Sequence, residues 1–103
     1  MIEEILSASS IPGSESRFPD PPPVTYAVWF DDVSTDGPDG INRIFTHNGT
    51  IELYEPTKDD AAETALEAEL NARKLRWTKQ ARYWLSSVQR YQVIYEFSYI
   101  VKQ

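Results

Sequence analysis

From Tyr91 to Lys102 the chain alternates without a break. Tyr91, Val93, Tyr95, Phe97, Tyr99 and Val101 fall on one side, and Gln92, Ile94, Glu96, Ser98, Ile100 and Lys102 on the other. Successive side chains of a strand point to opposite faces, so a period of two kept up this long predicts a strand with one face full of rings. That face needs a cover, and a chain of 103 residues has room for one core, hence one domain over 1–103.

The rest of the chain supplies the partners. Thr25 to Phe30 is β-branched and aromatic almost throughout and predicts a strand buried on both faces, the best candidate for the centre of the sheet. Ile41 to Tyr54 is rich in β formers. Its Asn48-Gly49 fits either a hairpin turn between two short strands or a glycine bulge in one long strand. Ser14 to Phe18 and Leu75 to Ala81 predict shorter strands, with Arg82 to Arg90 a connector carrying Tyr83 and Trp84. Two helices complete the set. Ile2, Ile5 and Leu6 give a short amphipathic helix ending in the Ser7–Ser10 run. Pro56 to Asp60 sets Thr57 and Asp60 at capping-box spacing and puts acids in a first helical turn. In that second helix Ala61, Ala62, Ala65, Leu66 and Leu70 form the apolar stripe. Glu63, Glu67, Glu69 and Arg73 are expected in water, with Glu69 and Arg73 spaced as an i,i+4 pair. The expected fold is α+β: a mixed, mainly antiparallel sheet packed by a short N-terminal helix and one central amphipathic helix. Pro19 to Pro23 is a stiff extended spacer, and the Asp- and Gly-rich Asp31 to Gly40 is expected to be a mobile acidic loop.

Charge and composition exclude several functions. A net charge of −6 repels nucleic-acid phosphates, so specific nucleic acid binding is not expected. The absence of cysteine removes disulfides, thiolate metal sites and a thiol nucleophile. The acidic start Met1-Ile2-Glu3-Glu4 does not read as a signal peptide, and no apolar run reaches the ~20 residues of a membrane span, so a protein made and used in the cytoplasm, or carried from there in a particle, without a membrane partner is expected. Candidate chemistry is thin. His47 is the single histidine and lacks a cysteine to complete a usual zinc or nucleophile pair. Asp32 to Gly37 imitates the opening of a calcium loop, but Arg43 stands where the bidentate glutamate belongs. Asp31-Asp32 points its carboxylates to opposite faces of a strand, and Asp59-Asp60 is taken up by helix capping. No enzyme activity, cofactor or metal is expected. Surface rings remain: Trp29, Trp77, Tyr83 and Trp84 are the candidate interface aromatics, since such rings anchor protein interfaces.

Pro21-Pro22-Pro23 followed by Tyr26 to Asp31, an acidic loop, Ile51-Glu52-Leu53-Tyr54, the helix start Lys58-Asp59 with Glu63, Leu66, Glu67 and Leu70, and Tyr91 to Glu96 together resemble the small tail terminator, or tail completion, proteins of long-tailed phages and prophages of Gram-positive bacteria. The resemblance runs from about Ile11 onward. It implies a structural virion protein that forms a ring on the finished end of the tail tube, stops its polymerisation and offers the surface that joins the head. The implied partners are further copies of itself in a ring, a hexamer being expected, the major tail tube protein and a head-completion protein. The implied location is the virion tail, assembled in the host cytoplasm. It also favours a continuous strand through Asn48-Gly49. Asp31, Asp32, Asp36 and Asp39 are then the expected contacts to the tube or lumen. A head-completion protein, or a small acidic inhibitor imitating DNA, are the alternatives.

Overall fold

Two helices and a six-stranded sheet make up the fold of residues 1–36 and 44–102, the residues that this computed structural model describes. In chain order they are α1 (Ile2–Ala8), β1 (Gly13–Glu15), β2 (Tyr26–Asp36), β3 (Ile44–Glu55), α2 (Asp60–Ala72), β4 (Trp77–Lys79), β5 (Tyr83–Leu85) and β6 (Arg90–Lys102). The sheet order is β1-β2-β3-β6-β4, with β5 also on β6. Only β1 and β2 pair in parallel, so the fold is α+β with a mixed, mainly antiparallel sheet. No helix among the described residues is long and apolar enough to cross a membrane.

The long alternating strand does what its pattern requires. Val93, Tyr95 and Phe97 of β6 are buried with Leu53 and Ile51 of β3 and Ala27 and Trp29 of β2, all on one face. Against that face lie Ile2, Ile5 and Leu6 of α1 and Leu66 and Leu70 of α2. β3 and β6, rather than β2, run down the middle of the sheet. The outer face is mixed, and near the base of β2 Tyr26 stacks on Tyr54 while Phe18 meets it edge-on at 5.3 Å. The segment leading into the proline tract is thus tied to the sheet through Phe18.

Asn48-Gly49 is neither a hairpin turn nor a bulge: β3 keeps one register with both neighbours, Asn48 opposite Asp32 and Ser98, Gly49 opposite Asp31 and Phe97. The glycine serves a packing purpose. A Cβ at position 49 would lie 2.7 Å from Phe97 Cζ and 3.2 Å from Ile2 Cδ1, so the ring of Phe97 occupies the space that any side chain would need. The cap of α2 is Asp59, whose carboxylate accepts from the Ala62 N–H at 3.0 Å, two residues after the Thr57 of the expected box.

Candidate functional site

Beyond the helices, β2, β3 and β6 continue as a three-stranded arm made of Asp31–Asp36, Ile44–Gly49 and Phe97–Lys102. The molecule is accordingly long, 48 × 27 × 22 Å. No core covers the end of the arm: Val33 is 51% exposed, Ile100 61% and Val101 42%. The same residue types that bury at the base of these strands are therefore left in solvent, the usual mark of a surface that meets another protein.

At the root of the arm a polar cluster sits on the core face. His47 Nδ1 lies 3.0 Å from both oxygens of Asp31, and the Tyr99 hydroxyl donates to the same carboxylate at 3.1 Å. The imidazole stacks on the Tyr99 ring with centroids 4.5 Å apart. Burial, helped by the Asp31 carboxylate, pushes the Tyr99 phenol up to about 12. These bonds join β2, β3 and β6 side to side where the helices give out. Beside them a groove of about 740 Å³ runs between α1, the turn after α2 (Arg73, Lys74, Leu75) and β6 from Ser98 to Val101.

A second cluster fastens the segment that carries β4 and β5. Arg82 reaches Glu63 at 2.7 Å, Asp60 at 2.6 Å and Glu55 at 3.4 Å, while Lys79 bridges Glu63 at 2.8 Å and Glu67 at 2.7 Å. Tyr95, fully buried, donates its hydroxyl to Glu67 at 2.7 Å. Glu55 is also fully buried, and no donor reaches its Oε2 among the described residues. Burial pushes its carboxyl up to about 7, with the facing Glu63 adding to the shift, so a proton on Glu55 can be shared with Glu63. Burial opposes charge on Glu63 as well, but bonds from Glu55, Lys79 and Arg82 outweigh it and hold that group below the ordinary range. The cluster anchors the strand that presents Tyr83 (55% exposed) and Trp84 (43% exposed), the latter edge-on to Tyr91 at 5.0 Å.

No family model and no curated protein matches the chain. Among solved structures, a chain of the virion of a native gene transfer agent particle superposes on it with a TM-score of 0.59, covering 96% of this chain and 84% of its own at 14% identity. The two chains share a fold.

Several expected site residues fall elsewhere than the sequence suggested. Asp31 to Asp36 is not loop but the outer half of β2, because β3 offers it a full ladder; Asp31 is half-buried and engaged with His47. Asp32 is exposed on the outer face of that strand, and Asp36 ends it. Asp39, with the remainder of the expected loop, lies outside the described residues. Positions 32 and 34 share one side of an extended strand, which does not wrap an ion as the first turn of a calcium loop does. Trp29 is core rather than interface, 9% exposed. Trp77 is half-buried against Tyr95, with its indole N–H held by Asn71 at 2.8 Å. Tyr83 and Trp84 are the pair that stands in solvent, on a strand where a plain connector was expected. Glu63 faces the core, not water. Its spacing of three and seven from Leu66 and Leu70 is the sequence signal that places it there.

Proposed function

We propose that the chain is a structural virion protein that caps the end of a tail tube as a ring, stops tube polymerisation and forms the surface that joins the head. The observation that carries this reading is the fold shared with a virion chain over almost the whole length of both. The resemblance of Tyr26–Asp31, Ile51–Tyr54 and Tyr91–Glu96 to tail terminators supports the finer assignment to the tail end. The site is built for docking and not for turnover. His47 is committed to Asp31 and Tyr99, and the carboxyl pair Glu55–Glu63 is buried beneath Arg82 and Lys79. Its partners in this role are further copies of itself, the tube protein and a head-completion protein, and its place is the virion tail, assembled in the host cytoplasm.

A DNA-imitating inhibitor fits less well. Such a protein needs free, evenly spaced carboxylates, whereas those of α2 are engaged by Arg73, Lys79 and Arg82. A tagged copy, labelled with gold in assembled particles, should mark one end of the tail at the head junction. Label along the tube or within the head shell would refute the assignment.

A further inference from the structure

The two margins of the arm are open in complementary ways. β1 covers β2 only as far as Trp29, and β4 covers β6 only at Tyr95–Phe97. From there outward, Phe30–Asp36 and Ser98–Lys102 have no backbone partner on their outer sides among the described residues. Both covers stop at nearly the same level, since Phe30 and Glu96 are both opposite Thr50. Uncovered edges of this kind invite another strand, and proteins that do not use them usually shield them.

We propose that the outer edge of β2 in one copy adds to the outer edge of β6 in the next, in parallel, so that the arms of successive copies form one continuous sheet. This rests on the ring reading above and names the contact that makes the ring. The direction follows from the topology: β2 and β6 each run antiparallel to β3, hence parallel to one another, and rotation about an axis along the strands preserves that sense. The contact is heterologous, the β2 edge of one copy against the β6 edge of the next, each supplying both N–H donors and carbonyl acceptors, and such contacts end growth when their rotation closes a ring.

Charge and shape fit the same pairing. Asp32 is exposed on the β2 edge, at the level of Ser98 in the shared register. Arg76 lies beside Ser98 at the foot of the empty lane, and Lys74 lines the groove along it. With copies kept level, the neighbour's Asp32 enters on the outer face next to Arg76, and its exposed Val33 comes beside Tyr99 on the other face. Exposed ion pairs add little affinity, so the pairing of Asp32 with Arg76 sets register more than strength.

The chain has no cysteine, which makes the test direct. Ser34 and Ile100, both exposed, lie opposite Thr46 on either side of β3. Within one copy they are two strand spacings apart, ~9.6 Å, beyond the ~7 Å reach of a disulfide. Between copies they are adjacent. The double variant S34C/I100C, oxidised at high concentration and in assembled particles, should give a ladder of oligomers ending in one closed species. A mixture of the two single variants should stop at dimers, and neither single variant should cross-link alone. Adding D32K should slow the ladder several-fold, and R76D on top should restore it. A double variant that stays monomeric in both settings, or single variants that dimerise as readily as their mixture, would overturn the edge pairing. If the ladder forms in particles whose tails keep their length when the protein is missing, the contact stands and the capping role falls.

Discussion

Replacing Glu55 by Gln should stabilise the protein at about pH 8 and change it little at about pH 5, because the folded protein holds a proton on Glu55 that the unfolded chain releases. The Glu55 carboxyl titrates at about 7 when buried and at 4.5 when free. Between those values the folded state binds more protons, so its stability falls as pH rises through the window. A pKa difference is worth about 1.4 kcal/mol per unit, which bounds the loss at about 3 kcal/mol. The Asp59 N–H at 3.1 Å and Arg82 at 3.4 Å both favour the ionised carboxylate and keep the shift from being larger. A loss of about 1–3 kcal/mol is therefore expected. Glu63 works in the opposite direction. Its carboxyl is held below 4.5, so its contribution is present above that value and is lost as pH falls through the folded value. The contribution of this pair is therefore greatest near pH 4.5 and falls on either side. Gln cannot ionise, yet its amide can still donate to Glu63, so E55Q should lose the limb on the alkaline side. Urea unfolding followed by the fluorescence of the buried Trp29 at several pH values measures this. A flat profile for the parent protein between about pH 5 and 8, or an E55Q protein less stable than the parent at the upper end, would refute the shared-proton account.

Leu66→Ala should cost about 2–5 kcal/mol in the same unfolding assay, since Leu66 is fully buried between α2 and the sheet; a cost well under ~1 kcal/mol would mean that α2 does not pack as described. Gly49→Val should cost about 1–3 kcal/mol, because its Cβ would meet the Phe97 ring at 2.7 Å, and Phe97→Leu in the same chain should recover part of that loss. The purified protein should be mainly monomeric at micromolar concentration, with light scattering showing more association as salt screens the −6 charge; a stable closed ring at low salt would contradict assembly on a tube-end template.

What could be read from the sequence was what local pattern determines. The alternation of Tyr91 to Lys102, the triad Ile2, Ile5 and Leu6 and the Glu69–Arg73 pair each announce their geometry within a few residues, and each is found. What could not be read depends on residues distant in the chain. Asp31 to Asp36 has the composition of a loop, but the strand forms because Ile44 to Gly49 lies beside it and tertiary pairing overrides weak propensity. Gly49 reads as a turn or a bulge until Phe97, from the far end of the chain, is seen to fill its place. Glu63 shares the stripe of Leu66 and Leu70, but the cations that compensate its burial, Lys79 and Arg82, arrive later in the chain. Rings and acids were legible as candidates, but not where the sheet would put them: Trp29 goes to the core and Asp31 to His47. The open edges of β2 and β6 are a property of the sheet order, which no single segment encodes.

Electron microscopy of particles assembled without this protein bears most directly on the capping role. If the ring ends tube growth, its loss should give tails longer than normal and of variable length, without heads attached, and supplying the protein should restore one length. Tails of normal, uniform length that merely fail to join heads would contradict capping and place the protein instead at the head side of the junction.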